Sequence, residues 1–340
     1  MTGILEILSL ASGATLQGLG RPGFAAFGLS AGGAADRLAL YEAAALLGRP
    51  APGIALEIPL AGGRFRAGTA TRIALTGAPC PARLEGQPLR WNASHLLPAG
   101  ALLEIGAATQ GVYSYLSPAG GFVPSETLAP PPPRTGTFLR FAPDPCPGAA
   151  ALALPDAPSR FAGGALRVLP GPQTALFEPE TLARAFATRF TAGPANRQGL
   201  ALLQDGAPFA SQTSAILSDF IAPGDIQSTG AGNLVLLLAE SQTIGGYPRL
   251  GTVIPADLPR AAQARPGVPL SLCPIGFAEA EAASPPEAQW RAALTRAVQP
   301  LRRNPGDIAD LLRYQLISGA VRGDEEDAGE DGGEDDGDAA

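Results

Sequence analysis

The chain has 340 residues, 46% of them hydrophobic, and a formal net charge of −7. Ten acids and no bases fall in residues 323–340, so 24 basic residues face 21 acids elsewhere and the body carries about +3. Every basic residue is Arg, which excludes lysine Schiff-base chemistry, a P-loop lysine and a biotinyl- or lipoyl-lysine carrier.

Gly and Pro punctuate short apolar runs, the pattern of many-stranded β architecture. Strands are expected at 3–10, 54–60, 71–76, 101–105, 112–116, 166–169, 189–192, 199–203 and 233–240. Few are followed closely by a helical pattern, so a doubly wound parallel sheet is not expected. Helices are expected at 36–47, closed by Gly48, at 179–188, at 285–298 with Ser284 as N-cap, and at 305–317. Four consecutive prolines within 129–134 and a Pro/Ala-rich stretch at 142–159 read as linkers.

These signals divide the chain into a first lobe at 1–140, a linker at 141–162 and a second lobe at 163–283. C-terminal helices follow at 284–322, then an acidic tail at 323–340 too poor in apolar residues to fold. The start lacks the basic n-region of a signal peptide, and glycines and prolines interrupt the uncharged run 105–125. A cytoplasmic protein without a membrane or nucleic-acid partner is expected.

One His and three separated Cys build no HExxH, CxxC or multi-His set, so no metal is expected. His95 reads as a loop histidine without a nucleophile elbow, and Cys80, between two prolines, as a packing residue without a base. The glycine-rich turns carry more chemistry. Gln17 and Arg21 lie in one near the N-terminus, Asn196 and Arg197 in a second, and Gln227 follows a third. After an apolar strand comes Gln242-Thr243-Ile244-Gly245-Gly246-Tyr247-Pro248-Arg249. There, adjacent glycines let backbone N–H groups approach an oxyanion or phosphate while Arg249 supplies a cation.

Taken in order, these segments resemble one family: the biotin-dependent carboxyltransferase, or allophanate-hydrolase subunit 2, family. It includes the C subunit of prokaryotic 5-oxoprolinase and part of the carboxyltransferase region of urea carboxylase. The resemblance runs through Gly32-Gly33-Ala34-Ala35-Asp36, Ala55-Leu56-Glu57-Ile58, Asn196-Arg197-Gln198-Gly199 and Gly224-Asp225-Ile226-Gln227 to the 242–249 stretch. It implies a mainly β fold with a few helices, built as two cyclophilin-like β-barrel lobes.

The resemblance also implies an ATP-dependent 5-oxoprolinase, opening the lactam of 5-oxoproline to glutamate with partner subunits A and B. ATP would be handled through that complex. Two alternatives stand beside it. One is a carboxyltransferase component acting on a urea-like amide, with biotin on a separate carrier. The other is a non-catalytic regulatory paralogue. Gln242, Thr243, Gln227 and Arg197 are the candidates for activating the carbonyl. Gly245, Gly246, Tyr247, Arg249, Asn196, Arg21 and Gln17 are those for holding substrate or phosphate. The chain departs from the family at Gly18, Ala44 and Gln198, and after Pro124, where Ser125-Glu126-Thr127-Leu128 and the proline run replace a Gly-Ser-Arg-Ser-Thr loop.

Overall fold

The computed structural model describes residues 2–124, 127, 131–213 and 215–301. The helix expected at 305–317 and the acidic tail lie outside them.

The first lobe opens with β1 (Gly3–Leu10), β2 (Thr15–Gln17) and helix α1 (Arg37–Leu47), then β3 (Ala55–Pro59), β4 (Gly63–Ala67) and β5 (Thr71–Gly77). It continues with β6 (Ala82–Leu84), β7 (Gln87–Leu89), β8 (Ala93–Leu97), β9 (Leu102–Ile105), β10 (Tyr113–Pro118), β11 (Phe138–Phe141) and β12 (Leu152–Ala153). One sheet runs β11-β1-β4-β9-β6-β7, and a second contains β2-β3-β10-β5-β8-β12. Leu5, Ile7 and Phe65 from the first meet Leu56, Ile58, Ile73 and Leu75 from the second in one buried core.

The second lobe comprises β13 (Gly164–Leu169), α2 (Pro179–Ala187), β14 (Arg189–Ala195), β15 (Gly199–Leu203), β16 (Asp219–Phe220) and β17 (Asp225–Ser228). After these come β18 (Leu234–Leu237), β19 (Ile244–Gly245), β20 (Arg249–Val253), α3 (Leu258–Ala262) and β21 (Pro269–Pro274). Seven of its strands close into a barrel in the order β13-β20-β17-β18-β15-β14-β21, with β13 and β21 parallel. β16 and β19 stand apart as a two-stranded flap. The fold is therefore mainly β with a few helices, as expected; the second lobe is a closed barrel, while two facing sheets enclose the first lobe's core.

Beyond the barrel, α4 (Phe277–Ala283) and α5 (Glu287–Ala297) return the chain to the first lobe, where β22 (Gln299–Pro300) pairs with β12. Leu294 and Ala297 of α5, with Val298 just after it, pack against Ala43, Leu46 and Leu47 of α1. Residues 2–301 form a single compact body. The Pro/Ala-rich stretch between the lobes is held to the first lobe: its Asp144 pairs with Arg72 at 2.8 Å, and its Arg160 reaches Glu42.

Local chemistry sets several boundaries. Asp36 caps α1 by accepting from the Ala39 N–H at 3.3 Å, and Gly48 ends the helix in the left-handed region at φ 68°. Ser284 does not cap α5. Pro286 holds that position, and the chain turns between α4 and α5 at Ser284, leaving its hydroxyl without a hydrogen-bond partner. His95 sits within β8 rather than in a loop. Its ring is buried and its Nε2 lies 2.8 Å from the Arg90 carbonyl, and burial holds the imidazole below its usual pKa.

Candidate functional site

Where the lobes meet, a chain of charged groups runs through the interior. Arg197, at the β14–β15 hairpin, donates to Glu57 on β3, to the Gly33 carbonyl at 2.6 Å and to Glu240 at 3.3 Å. Glu57 also accepts from the Ala35 N–H at 2.8 Å and from the Tyr115 hydroxyl at 2.7 Å. Tyr115 in turn accepts from the Asp36 N–H at 2.8 Å. Burial pushes the Glu57 carboxyl above the usual range, while Arg197, Tyr115 and Ala35 pull it back.

The chain of contacts extends at both ends. Glu240 accepts from Ser30 at 2.6 Å and from Arg21 at 3.4 Å. Asp36 accepts from Gln263 of the second lobe at 2.8 Å, and Gln263 also takes the Val112 and Tyr113 N–H groups at 2.7 and 2.9 Å. Arg160 approaches Asp36 at 3.6 Å and holds Glu42 bidentately at 3.0 Å. Buried carboxylates are stable only when matched in this way, and here the matching partners come from both lobes.

The same loops wall a cavity of about 700 Å³ between the lobes. Leu19, Arg21 and Gly32 line it from the first lobe, Leu238 and Pro255 from the second, and Trp290 from α5. Behind the wall, Gly33 packs tightly on the Gly20 loop. At φ +84° it occupies the left-handed region, and a Cβ there would lie 2.7 Å from the Gly20 nitrogen.

The second-lobe candidates gather elsewhere, at the flap. Arg249 donates to Asp219 at 2.5 Å, to the Phe220 carbonyl at 2.6 Å, to Gln173 at 3.1 Å and to Asp225 at 3.3 Å, pinning β16 to the barrel. Gln227 on β17 is over nine-tenths buried and its amide nitrogen has no hydrogen-bond partner. That nitrogen lies 2.6 Å from where a Cβ on Gly245 would stand, so the glycine is what admits the amide. The Thr243 carbonyl accepts from Ile221 at 3.1 Å and the Gly246 carbonyl from Ile216 at 2.9 Å. Gln242 and Tyr247 are exposed.

Two further candidates serve local structure. Asn196 accepts from the Gln198 and Gly199 N–H groups at 2.8 and 3.1 Å, shaping the hairpin turn. Gln17 donates to Thr15 at 3.1 Å on β2. The structure thus brings Arg21 and Arg197 together on Glu240, and Gln227 together with Gly245 at the flap. All three candidate arginines, Arg21, Arg197 and Arg249, are engaged by carboxylates. Sequence reasoning missed their partners; only Glu57, a lone charge inside an otherwise apolar strand, carried a local signal.

Among the described residues, no cluster of three or more His, Cys, Asp or Glu is placed to hold a metal, and no helix is long and apolar enough to cross a membrane.

The carboxyltransferase domain, subdomain A and B, family model matches residues 27–274. The chain is 31% identical over 299 residues to the C subunit of 5-oxoprolinase from Escherichia coli (strain K12), covering 82% of this chain and 93% of that protein. The crystal structure of TTHA0988 superposes with a TM-score of 0.71 at 28% identity, covering 80% of this chain and 56% of that one. The Kluyveromyces lactis urea carboxylase structure shares the fold, with a TM-score of 0.75 at 21% identity over 89% of this chain and 31% of its own. The chain belongs to the carboxyltransferase subdomain A and B family.

Proposed function

We propose that this chain is the C-type component of an ATP-dependent 5-oxoprolinase, opening the lactam of 5-oxoproline to glutamate with partner subunits A and B in the cytoplasm. The observation that carries the reading is the similarity to the E. coli 5-oxoprolinase component, which covers 93% of that protein's length.

The chemistry of the site supports the same class of reaction. Attack on an amide or lactam carbonyl puts negative charge on its oxygen, and fixed N–H donors in a water-poor site stabilise that charge. The unpartnered Gln227 amide is such a donor beside the flap, with Gly245 against it and Gln242, Thr243 and Gly246 on the same turn as that glycine. Arg197 acts by holding Glu57 and the Gly33 carbonyl together between the lobes.

The residues present do not fit ATP on this chain. It has no P-loop lysine, and the arginines at its glycine-rich turns are held by Glu57, Glu240, Asp219 and Asp225. ATP is therefore assigned to the partner subunits. Without Lys, the chain cannot carry biotin either, so carboxybiotin would have to come from a separate carrier.

The second reading, carboxyl transfer to a urea-like amide, is favoured by the fold shared with urea carboxylase. Co-expression of the tagged chain with subunits A and B separates the two. Co-purification and ATP-dependent turnover of 5-oxoproline support the first. A complex that turns over urea only when a carboxylated biotin carrier is supplied supports the second.

A further inference from the structure

The β16–β19 flap is tied to the barrel chiefly by polar contacts. Its ladder runs from the Ile216 N–H, which donates to the Gly246 carbonyl at 2.9 Å, to the Ile221 N–H, which donates to the Thr243 carbonyl at 3.1 Å. None of Leu217, Phe220, Ile221 and Ile244 belongs to the buried core of the barrel. Phe220 and Ile244, paired across the ladder, are 67% and 51% exposed. A segment that buries so little apolar surface opens at low free-energy cost unless something else holds it.

What holds it is Arg249. From β20 its guanidinium reaches the Asp219 carboxylate at 2.5 Å and the Phe220 carbonyl at 2.6 Å, both on β16. Gln173 bridges the two sides, accepting from Arg249 at 3.1 Å and donating to Asp219 at 3.0 Å. Asp219 is about half exposed, so its charge returns to water when the pair parts, while Asp225 at 3.3 Å still matches Arg249. Neither charge is stranded by opening.

Beneath the flap lies the Gln227 amide, buried and with no partner for its nitrogen. A bulge in the β17–β20 ladder, in which Leu250 is the extra residue, sets Gln227 opposite Arg249. Gly245 is pressed so closely on the amide that the closed flap leaves no room for another atom between them. An orphaned buried donor costs stability, and the closed flap keeps it orphaned.

We propose that the flap is a gate, latched shut by Arg249 on Asp219, which opens to let an acceptor oxygen of a bound ligand take the Gln227 N–H. The inference rests on reading Gln227 as a carbonyl-activating donor, and it adds how that donor is reached. Arg249 and Asp219 are positioning residues: they set when the amide is uncovered and touch no reacting atom.

Hydrogen exchange of the full chain, followed by peptide mass spectrometry, tests the latch. Peptides spanning 215–221 and 243–247 should exchange at least about tenfold faster in Arg249→Gln than in the wild type, while β14, β15 and β18 keep their protection. High salt should speed the flap of the wild type and not that of the variant. Equal flap exchange, or a barrel that loosens as much as the flap, overturns the inference. Gln227→Met tests the orphaned amide. It removes an unmatched donor at similar size, so the urea midpoint should hold or rise; a clear fall would show the amide already satisfied and overturn the inference.

In the complex with subunits A and B, 5-oxoproline should slow flap exchange in the wild type and leave that of Gln227→Met unchanged. Where the full chain behaves as expected but 5-oxoproline neither slows the flap nor is opened, the 5-oxoprolinase reading falls and the gate stands. Glutamate release by Gln227→Met at the wild-type rate would overturn the inference and leave that reading intact.

Discussion

The Glu57 carboxylate of the first lobe is closed on by the Arg197 guanidinium of the second, 140 positions further along the chain. Glu57 is 1% exposed, so this pair is a joint between the lobes. Removing Arg197 leaves the Glu57 charge buried without a counter-charge, whereas removing Glu57 leaves Arg197 its contact with Glu240 at 3.3 Å. Arg197→Ala should cost about 3–5 kcal/mol in chemical denaturation, and Glu57→Ala less. The double variant should cost less than their sum by about 1–3 kcal/mol, because the two share one interaction. Strict additivity would show that the pair is not coupled. Loss of activity in Arg197→Ala should therefore come with loss of stability.

Two glycines at the two clusters should respond differently to alanine. At Gly33 the new Cβ meets the Gly20 backbone 2.7 Å away in a left-handed conformation. Overpacking of that kind costs about 1–3 kcal/mol before the backbone strain is added. At Gly245 the near atoms are the far ends of the Gln227 and Ile221 side chains, at 2.6 and 2.9 Å, which can move where backbone cannot. Thermal denaturation should show a clear drop for Gly33→Ala and a smaller one for Gly245→Ala, whose main effect should fall on turnover through the displaced amide.

The cysteines should label in a fixed order. Burial pushes the Cys80 thiol up to about 11, whereas Cys146 and Cys273 are exposed. Iodoacetamide at about pH 8, the ordinary cysteine range, should therefore alkylate Cys146 and Cys273 in the folded chain. Cys80 should react only after denaturation, which peptide mass spectrometry can read directly.

Asp257 gives the acid limb of stability a named contributor. Burial pushes its carboxyl up, but hydrogen bonds from the Arg167 side chain and backbone N–H, at 2.7 to 2.9 Å, hold it below the usual range. A carboxyl with a lowered folded pKa contributes stability above its unfolded value, about 4, and loses it as pH falls through the folded value. Asp257→Asn should lower the urea midpoint at pH 7. The gap from wild type should narrow as the pH drops below about 4; a gap independent of pH would contradict the assignment.

Strands with an uninterrupted apolar core were legible in the sequence, such as 71–76 around Ile73-Ala74-Leu75 and 199–203, which became β5 and β15. β4 was not. Its five residues alternate exposed Arg64 and Arg66 with a fully buried Phe65, a pattern too short to stand out. β8 was hidden by His95, whose buried ring is satisfied by a carbonyl five residues away. The glycine-rich turns of the candidate site were visible because they are local. What their arginines bind was not, since Arg197 with Glu57 and Arg21 with Glu240 are pairings between lobes that leave no spacing to read.

An omission experiment tests the central claim most directly. Subunits A and B are assayed with ATP and isotope-labelled 5-oxoproline, with and without this chain, and labelled glutamate is followed by mass spectrometry. The account predicts glutamate only when this chain is present, and its loss when Gln227 is changed to Ala in a chain that still folds and joins the complex. Equal glutamate without the chain, or none from the complete complex, would contradict it.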